Sequence, residues 1–178
     1  ESEDERILRA TEIILRRDIA DIVLLGDEDE IKQRAKRLGL NIENAEFVDH
    51  TSKNMIDDFA EKFYEIRKAK GLNLDAAKDI VMHKNYFATM MVESGMVDGM
   101  VSGASHSTAD TIRPALQIIK TISGVSKVSS LFFMCFDTKV LIYGDCAINQ
   151  DPDEDTLADI AIASAKTALA FNIEPRVA

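Results

Sequence analysis

Five hydroxyl side chains and one arginine lie close together between residues 97 and 120, in the sequence VDGMVSGASHSTADTIRPALQIIK. Gly103 lets the backbone approach a ligand closely, and the planar guanidinium of Arg113 suits bidentate contacts with phosphate or carboxylate. These residue types predict an anion-binding loop, whose neutral donors are Ser102, Ser105, Ser107, Thr108 and Thr111. A polar turn in which serine or threonine caps a helix explains the same residues equally well.

Two titratable residues lie inside this motif. We expect Asp110, three residues before Arg113, to orient the loop or cap a helix rather than to abstract a proton. His106 lies between two serines, but residues adjacent in sequence seldom form a nucleophile and base pair, because that geometry is spatial. The motif therefore predicts binding rather than a Ser-His dyad.

The charge of the chain excludes two classes of binding protein. Its 178 residues carry a formal net charge of -10, and nucleic acids and anionic membranes both require a positive surface. An anionic ligand would therefore depend on local arginines. No apolar run approaches the roughly 20 residues that span a bilayer, and the opening ESEDER resembles no targeting signal. We expect a soluble, cytoplasmic protein.

The cysteines and the acidic residues do not indicate a metal site. Cys135 and Cys146 lie in apolar segments without CxxC spacing, so we expect buried thiols in a reducing cytoplasm. The acidic stretch from Gly144 to Asp153 lacks the glycine and the closing glutamate of an EF-hand loop. Its carboxylates are better explained as favourable charges at a helix N-terminus.

Apolar spacing predicts alternating helices and strands, and therefore an α/β fold. A first helix is predicted from a capping box of Ser2 and Glu5. Strands are predicted at 22–25, 46–49 and 97–101, and further helices at 27–39, about 56–71, 73–83 and 85–95. Two later strands, 128–136 and 139–143, form a predicted hairpin, so we expect a mixed sheet. A last helix follows Asp153 and should bury Leu157, Ile160 and Ala168.

We expect two tightly joined lobes, 1–124 and 125–178, with a compact hinge near Gly124. Residues 173–178 resemble a turn and the first residues of a strand, and the first helix has no strand before it. These features predict part of a longer chain, in which the second lobe is incomplete. The alternative is that both ends are frayed termini of a small domain.

Four segments resemble the phosphotransacetylases: DERILRA, SGASHSTADTIRPALQIIKT, YGDCAINQDPDEDTLADIAI and FNIEPRVA. The resemblance covers essentially the whole chain. It implies a three-layer α/β/α fold of the isocitrate/isopropylmalate-dehydrogenase type with two lobes, of which this chain is somewhat more than the N-terminal half. It also implies reversible acetyl transfer between acetyl phosphate and coenzyme A in acetate metabolism, by a homodimer that needs no cofactor and binds acetyl-CoA and phosphate.

The resemblance also implies roles for particular residues. Arg113 and Arg67 match arginines that the family uses at its substrate site, although without the family Arg67 is better explained as a basic residue closing a helix. Asn149 lies in a stretch that lines the family's cleft between lobes, which makes it a candidate substrate contact. The family's catalytic serine, arginine and aspartate match no position here, so the catalytic residues are unknown and an isolated fragment should be inactive.

Two alternatives remain open beside the acetyl enzyme. One is the similar phosphate butyryltransferase, which requires a larger acyl pocket. The other is a noncatalytic acyl-CoA-binding regulatory domain, such as that of some malic enzymes. The intact HSTADTIRPALQIIK and GDCAINQDP motifs favour a catalytic lineage.

Overall fold

The computed structural model describes residues 1–123, 125 and 127–178. The chain divides into two compact units, Glu1–Lys120 and Thr121–Ala178. The hinge predicted near Gly124 falls on a residue outside the described part, so the predicted lobe boundary stays a prediction.

The first helix, α1 (Glu5–Arg16), begins at a different cap from the predicted one. Asp4 is the N-cap, and its carboxylate accepts the backbone N–H of Arg6 at 2.8 Å. The predicted cap, Ser2, is only 2% exposed, and its hydroxyl donates to the carbonyl of Leu25 at 2.6 Å. The capping box of Ser2 and Glu5 is therefore wrong, because Ser2 is used in a tertiary contact.

A parallel strand pair with a helix between its strands forms the first layer of unit 1. Strand β1 (Val23–Leu25) pairs with β2 (Glu46–Val48), and α2 (Glu28–Arg37) connects them. Asp27 caps α2 as predicted, by accepting the N–H of Glu30 at 2.8 Å. The strand pair and its helix share one buried apolar cluster with α1. Its members are Leu8, Leu24, Ile31, Ala35, Ile42 and Ala45.

Four helices build the larger core of unit 1: α3 (Lys53–Arg67), α4 (Leu74–Val81), α5 (Lys84–Glu93) and α6 (Thr108–Ile118). The predicted stripe of α3 is confirmed, because Phe59, Ala60 and Phe63 are at most 2% exposed. Phe59 meets Phe87 of α5 edge to face, with ring centroids 5.0 Å apart. This core fixes the start of α5 against α6.

The strand predicted at 97–101 is wrong. Residues 96–107 form irregular chain, and Val101 is 93% exposed. The run contains Gly99, and Gly103 follows it two residues later with a φ of 114°, so the backbone bends instead of extending. No strand in the described part of the chain pairs with this segment.

Unit 2 contains an antiparallel hairpin and one long helix. Strand β3 (Leu131–Cys135) pairs with β4 (Val140–Gly144), and α7 (Glu154–Ala170) follows, capped by Asp153. In α7, Ile160 and Ala168 are buried as predicted, but Leu157 is 54% exposed. Residues 173–178 form no strand.

The α/β class is confirmed. Parallel and antiparallel pairing both occur among the described residues, each in its own two-stranded sheet, whereas the sequence pattern predicts one mixed sheet. Cys135 is exposed, which corrects the expectation of a buried thiol, because it is the last residue of β3 and lies beside the exposed residues 136–139. Within the described ranges, no helix has the length and apolar character needed to cross a bilayer.

Candidate functional site

A cleft of about 620 Å³ opens in unit 1 between the junction of α4 with α5 and the first turns of α6. The residues that line it are Ile80, Met82, His83, Lys84, Asn85, Tyr86, His106, Asp110 and Arg113. Basic side chains and two helix N-termini therefore surround one cavity. This combination favours an anionic ligand.

The N-terminus of α5 forms one wall of the cleft. Its N-cap, His83, supplies no side-chain hydrogen bond to the first turn. The first backbone N–H groups of a helix have no partners within the helix, so they remain available to a ligand or water. Lys84 adds a cation that pairs with Glu3, and burial lowers the pKa of its ammonium group.

The other wall contains the hydroxyl-rich loop, which holds an anion from its own chain. The carboxylate of Glu1 accepts four consecutive backbone N–H groups, each at 2.9 to 3.0 Å: Gly103, Ala104, Ser105 and His106. The hydroxyl of Ser105 also donates to Glu1, at 3.3 Å. The loop is therefore a nest of backbone donors, as the residue types suggest, and its acceptor is residue 1.

The same carboxylate orients an imidazole. His106 Nδ1 lies 2.7 Å from Glu1 Oε1, and the Glu1 side chain is only 3% exposed. Burial opposes the charge of Glu1, but the hydrogen bonds from Ser105, Ala104 and His106 outweigh it and hold the pKa of this carboxyl well below its ordinary value. An ionised carboxylate only accepts hydrogen bonds, so Nδ1 carries a proton and Nε2 is the nitrogen left for other partners.

Asp110 forms the capping box of α6. The hydroxyl of Ser107 donates to Asp110 Oδ2 at 2.6 Å and accepts the backbone N–H of Asp110 at 3.2 Å. These hydrogen bonds from Ser107 lower the pKa of Asp110. The carboxylate therefore fixes the helix start that leads to Arg113, in agreement with the expectation that it caps or orients.

The two predicted arginines, Arg113 and Arg67, both lie close enough to Tyr86 to affect its ionisation. Burial raises the pKa of its phenol, whereas the positive charges of Arg113 and Arg67 oppose that rise. The Tyr86 hydroxyl donates to Gln117 Oε1 at 3.0 Å. Arg113 is exposed and lines the cleft, and Arg67, the last residue of α3, is partly buried. Both guanidinium groups thus act electrostatically on the same side chain of α5.

Asn85 links the two walls of the cleft. Its side-chain oxygen accepts the Ser102 hydroxyl at 3.2 Å, and Ser102 accepts the Thr111 hydroxyl at 3.2 Å. Asn85 is 7% exposed, and within the described part of the chain its Nδ2 has no hydrogen-bond partner. An unpartnered buried amide is costly, so this polar atom is a further mark of the site.

The predicted hydroxyl ligands are mostly engaged within the chain. Ser105 contacts Glu1, Ser107 caps α6, and Thr111 bonds Ser102 and the Ser107 carbonyl, while Thr108 is the exposed first residue of α6. Substrate contacts by these residues stay predictions. Sequence patterns did not indicate Glu1, because it lies more than one hundred residues from its partners.

Asn149 belongs to unit 2, where its amide holds a loop. Its Nδ2 donates to the carbonyl of Val128 at 3.0 Å and to the carboxylate of Asp145. Asp145 also accepts the N–H groups of residues 147–149 and the Ser130 hydroxyl. Burial opposes ionisation of Asp145, but these hydrogen bonds lower its pKa overall. Nothing in unit 2 tests the predicted substrate contact of Asn149.

In the part of the chain that the structure describes, no group of three or more histidine, cysteine or acidic side chains could hold a metal ion. The cleft residues can recognise an oxyanion through backbone N–H groups, Lys84, Arg113 and the imidazoles of His83 and His106. The described residues that line the cleft include no serine, threonine or cysteine.

Comparison with known proteins identifies the family. The model of the phosphate acetyl/butaryl transferase family matches residues 1–178. The phosphate acetyltransferase of Helicobacter pylori is 51% identical over 178 residues, which are all of this chain and 34% of that protein. The phosphate acetyltransferase of Corynebacterium glutamicum is 47% identical, again over all of this chain and over 54% of its own length.

Solved structures agree with this assignment. The EutD phosphotransacetylase from Staphylococcus aureus is 44% identical with a TM-score of 0.89, and the match covers 98% of this chain and 53% of that one. A phosphotransacetylase from Streptococcus pyogenes is 40% identical with a TM-score of 0.92, over 98% and 54% of the two chains. The chain thus spans about half the length of these structures. On its sequence and its fold, the chain belongs to the phosphate acetyl/butaryl transferase family.

Proposed function

We propose that the complete protein transfers an acetyl group reversibly between acetyl phosphate and coenzyme A. The observation that carries this proposal is the similarity along the whole chain to proteins named phosphate acetyltransferase, at 51% and 47% identity. The cleft of unit 1 supports it, because both substrates carry phosphate groups and the cleft is lined by Lys84 and Arg113.

The reaction is an acyl transfer. The thiolate sulfur of coenzyme A attacks the carbonyl carbon of acetyl phosphate, a C–S bond forms, and the C–O bond to the phosphate breaks. The thiol proton must pass to a base, and phosphate departs with the electron pair of the broken bond. The resemblance assigns that base to a segment outside this chain, so unit 1 contributes substrate binding and orientation.

The proposal assigns roles to particular residues. Arg113 and Arg67 hold phosphate groups of the substrates, and the open N-terminus of α5 adds backbone donors. The capping box of Ser107 and Asp110 fixes the helix that carries Arg113. Ser105, Thr108, Thr111 and Asn149 remain candidate substrate contacts.

The test is a thioester-formation assay on the full-length protein, with acetyl phosphate and butyryl phosphate compared side by side. We expect acetyl phosphate to be preferred, since the named relatives are acetyltransferases. Arg113→Ala should raise KM for coenzyme A or for acetyl phosphate by about tenfold to a hundredfold, which corresponds to one charged hydrogen-bonding contact. Separate titration of the two substrates shows which one Arg113 binds.

Arg9→Ala is the matched control, because Arg9 is an exposed arginine already paired with Glu5 outside the cleft. It should keep wild-type kinetics. A preference for butyryl phosphate would instead identify a phosphate butyryltransferase. Coenzyme A binding without turnover would favour the noncatalytic regulatory domain, and no response to coenzyme A would refute the proposal.

The proposal also includes the location, the oligomeric state and the cofactor requirement of the protein. We expect a cytoplasmic homodimer that serves acetate metabolism and requires no cofactor beyond its two substrates. The isolated chain should be inactive, because it lacks the expected base.

A further inference from the structure

The imidazole of His106 lies in the anion loop, and one of its two nitrogens contacts the Glu1 carboxylate. Its Nδ1 is directed at the Glu1 carboxylate, which is 3% exposed and fixed by four backbone N–H groups. The His106 side chain itself is 33% exposed and lines the cleft. A buried carboxylate thus holds one nitrogen, and the ring remains accessible from the cleft.

The contact with Glu1 determines which nitrogen of the ring can contact a ligand. Because Nδ1 keeps its proton for Glu1, any ligand contact must be made by Nε2. A second proton on Nε2 would make the ring a cation bridging two anions, namely Glu1 on one side and a ligand oxyanion on the other. The bound oxyanion would stabilise that proton.

The charged groups around the ring favour such a ligand. Glu1 faces His106 from the N-terminal segment, Asp110 and Arg113 from α6, and His83 and Lys84 from the start of α5. Asp110 is occupied in the capping box with Ser107, and Lys84 pairs with Glu3. Arg113 and the open N-terminus of α5 are therefore complementary to an anion next to the ring.

We propose that His106 is a phosphate-binding residue of the cleft, which contacts the ligand through a protonated Nε2 while Glu1 fixes the ring through Nδ1. The ligand class is a phosphate group, either free phosphate or a phosphate of coenzyme A. This inference rests on the proposed function for its choice of ligand. It assigns no role in proton abstraction to the imidazole.

The test is anion binding to the full-length protein by calorimetry, which requires no turnover. Sulfate is the first probe, because it does not titrate near neutral pH, and inorganic phosphate and coenzyme A are titrated separately to identify the source of the phosphate. Sulfate affinity should rise about tenfold from about pH 8 to about pH 6, since a protonated ring gains one charged contact.

His106→Asn is the informative variant, because its short amide can reach the Nδ1 position and preserve the contact with Glu1 but has no group at Nε2. It should melt near the wild-type temperature and bind sulfate about tenfold more weakly at about pH 6, with the pH dependence lost. His83→Gln removes the other cleft histidine and should keep that dependence. If His106→Asn is folded and keeps the pH dependence, or if wild-type binding is flat or absent, the inference is refuted.

The outcomes separate this inference from the proposed function. Binding that depends on His106 in a protein that forms no acetyl-CoA would leave the inference standing and refute the function. If His106→Asn transfers acetyl groups with wild-type affinity for both substrates, the function stands and the inference is refuted.

Discussion

The Glu1→Gln change keeps the shape of the side chain but turns one of its two oxygens into a nitrogen that donates hydrogen bonds. In the structure, Gly103 and Ala104 donate to one oxygen, and Ser105 and His106 donate to the other. Two of these four N–H groups would therefore face a donor. We expect the loop from 103 to 106 to open and the protein to lose stability.

The size of the loss follows from the contacts. Gly103 and Ser105 are exposed and Ala104 and His106 are only partly buried. Each lost hydrogen bond to the carboxylate should therefore cost about 1.5 kcal/mol, the lower end of the range for charged groups, and two should cost about 3 kcal/mol. That is a large share of a typical free energy of unfolding of about 5–15 kcal/mol. The melting temperature should fall by at least about 5 °C. Backbone amides 103–106 should exchange with deuterium much faster than in the wild type.

The assays are calorimetric melting and hydrogen exchange, with Glu5→Gln as the control. Glu5 is 54% exposed and pairs only with Arg9 at the surface, so its loss should cost less than about 1 kcal/mol. If Glu1→Gln melts like Glu5→Gln and amides 103–106 stay protected, the Glu1 contacts are not the support of the loop.

The same comparison has a defined pH dependence. The pKa of Glu1 in the folded protein lies below its ordinary value of 4.5. The stabilisation by the charged form is therefore fully present above that ordinary value and is lost as the pH falls below it. The difference in stability between wild type and Glu1→Gln should shrink on acidification. A difference that stays constant down to strongly acidic pH would contradict this account.

Two further predictions concern the cap and the core. Asp110→Asn retains an oxygen that can accept from Ser107, so turnover of the full-length enzyme in the thioester assay should fall less than about tenfold; a loss of several orders of magnitude in a folded variant would show that Asp110 transfers protons. Phe59→Ala removes a ring that is 2% exposed and packs on Phe87, so the free energy of unfolding measured with denaturant should fall by about 3–5 kcal/mol. The control Phe136→Ala changes a residue that is 51% exposed, and it should lower that free energy by less than about 1 kcal/mol.

Sequence patterns predicted the structure best where residues close together in the sequence decide it. Asp27 and Asn73 were recognised as helix caps, and each accepts the N–H three residues on. The apolar stripe through Phe59 and Phe63 identified the buried face of α3, because helical spacing alone decides which side chains share a face. These elements require no knowledge of the rest of the chain.

Predictions failed where a tertiary partner decided the outcome. Ser2 has the residue type of a cap, but its hydroxyl is taken by Leu25, twenty-three residues away. Residues 97–101 have the composition of a strand, but no described strand pairs with them, and a strand without a ladder is not stable. Cys135 is exposed because it lies at the end of β3, next to the exposed residues 136–139, where nothing in the described part of unit 2 covers it.

In the candidate site, too, the local features were predictable and the long-range contacts were not. The types of Ser107, Asp110 and Arg113 identified a capped helix start that carries a guanidinium, and the structure contains that helix. The partners of the loop were not predictable, since neither Glu1 nor Asn85 belongs to a motif with His106 or Ser102. Their roles arise from the packing of segments that are remote in sequence.

The contacts of Glu1 have a consequence for the order in which unit 1 is assembled. They join positions 102 to 105 residues apart, so their formation requires closure of nearly the whole unit into one loop. During synthesis, residue 1 remains without these partners until segment 103–106 has left the ribosome. We therefore expect this wall of the cleft to be completed late in folding, after the local helices have formed.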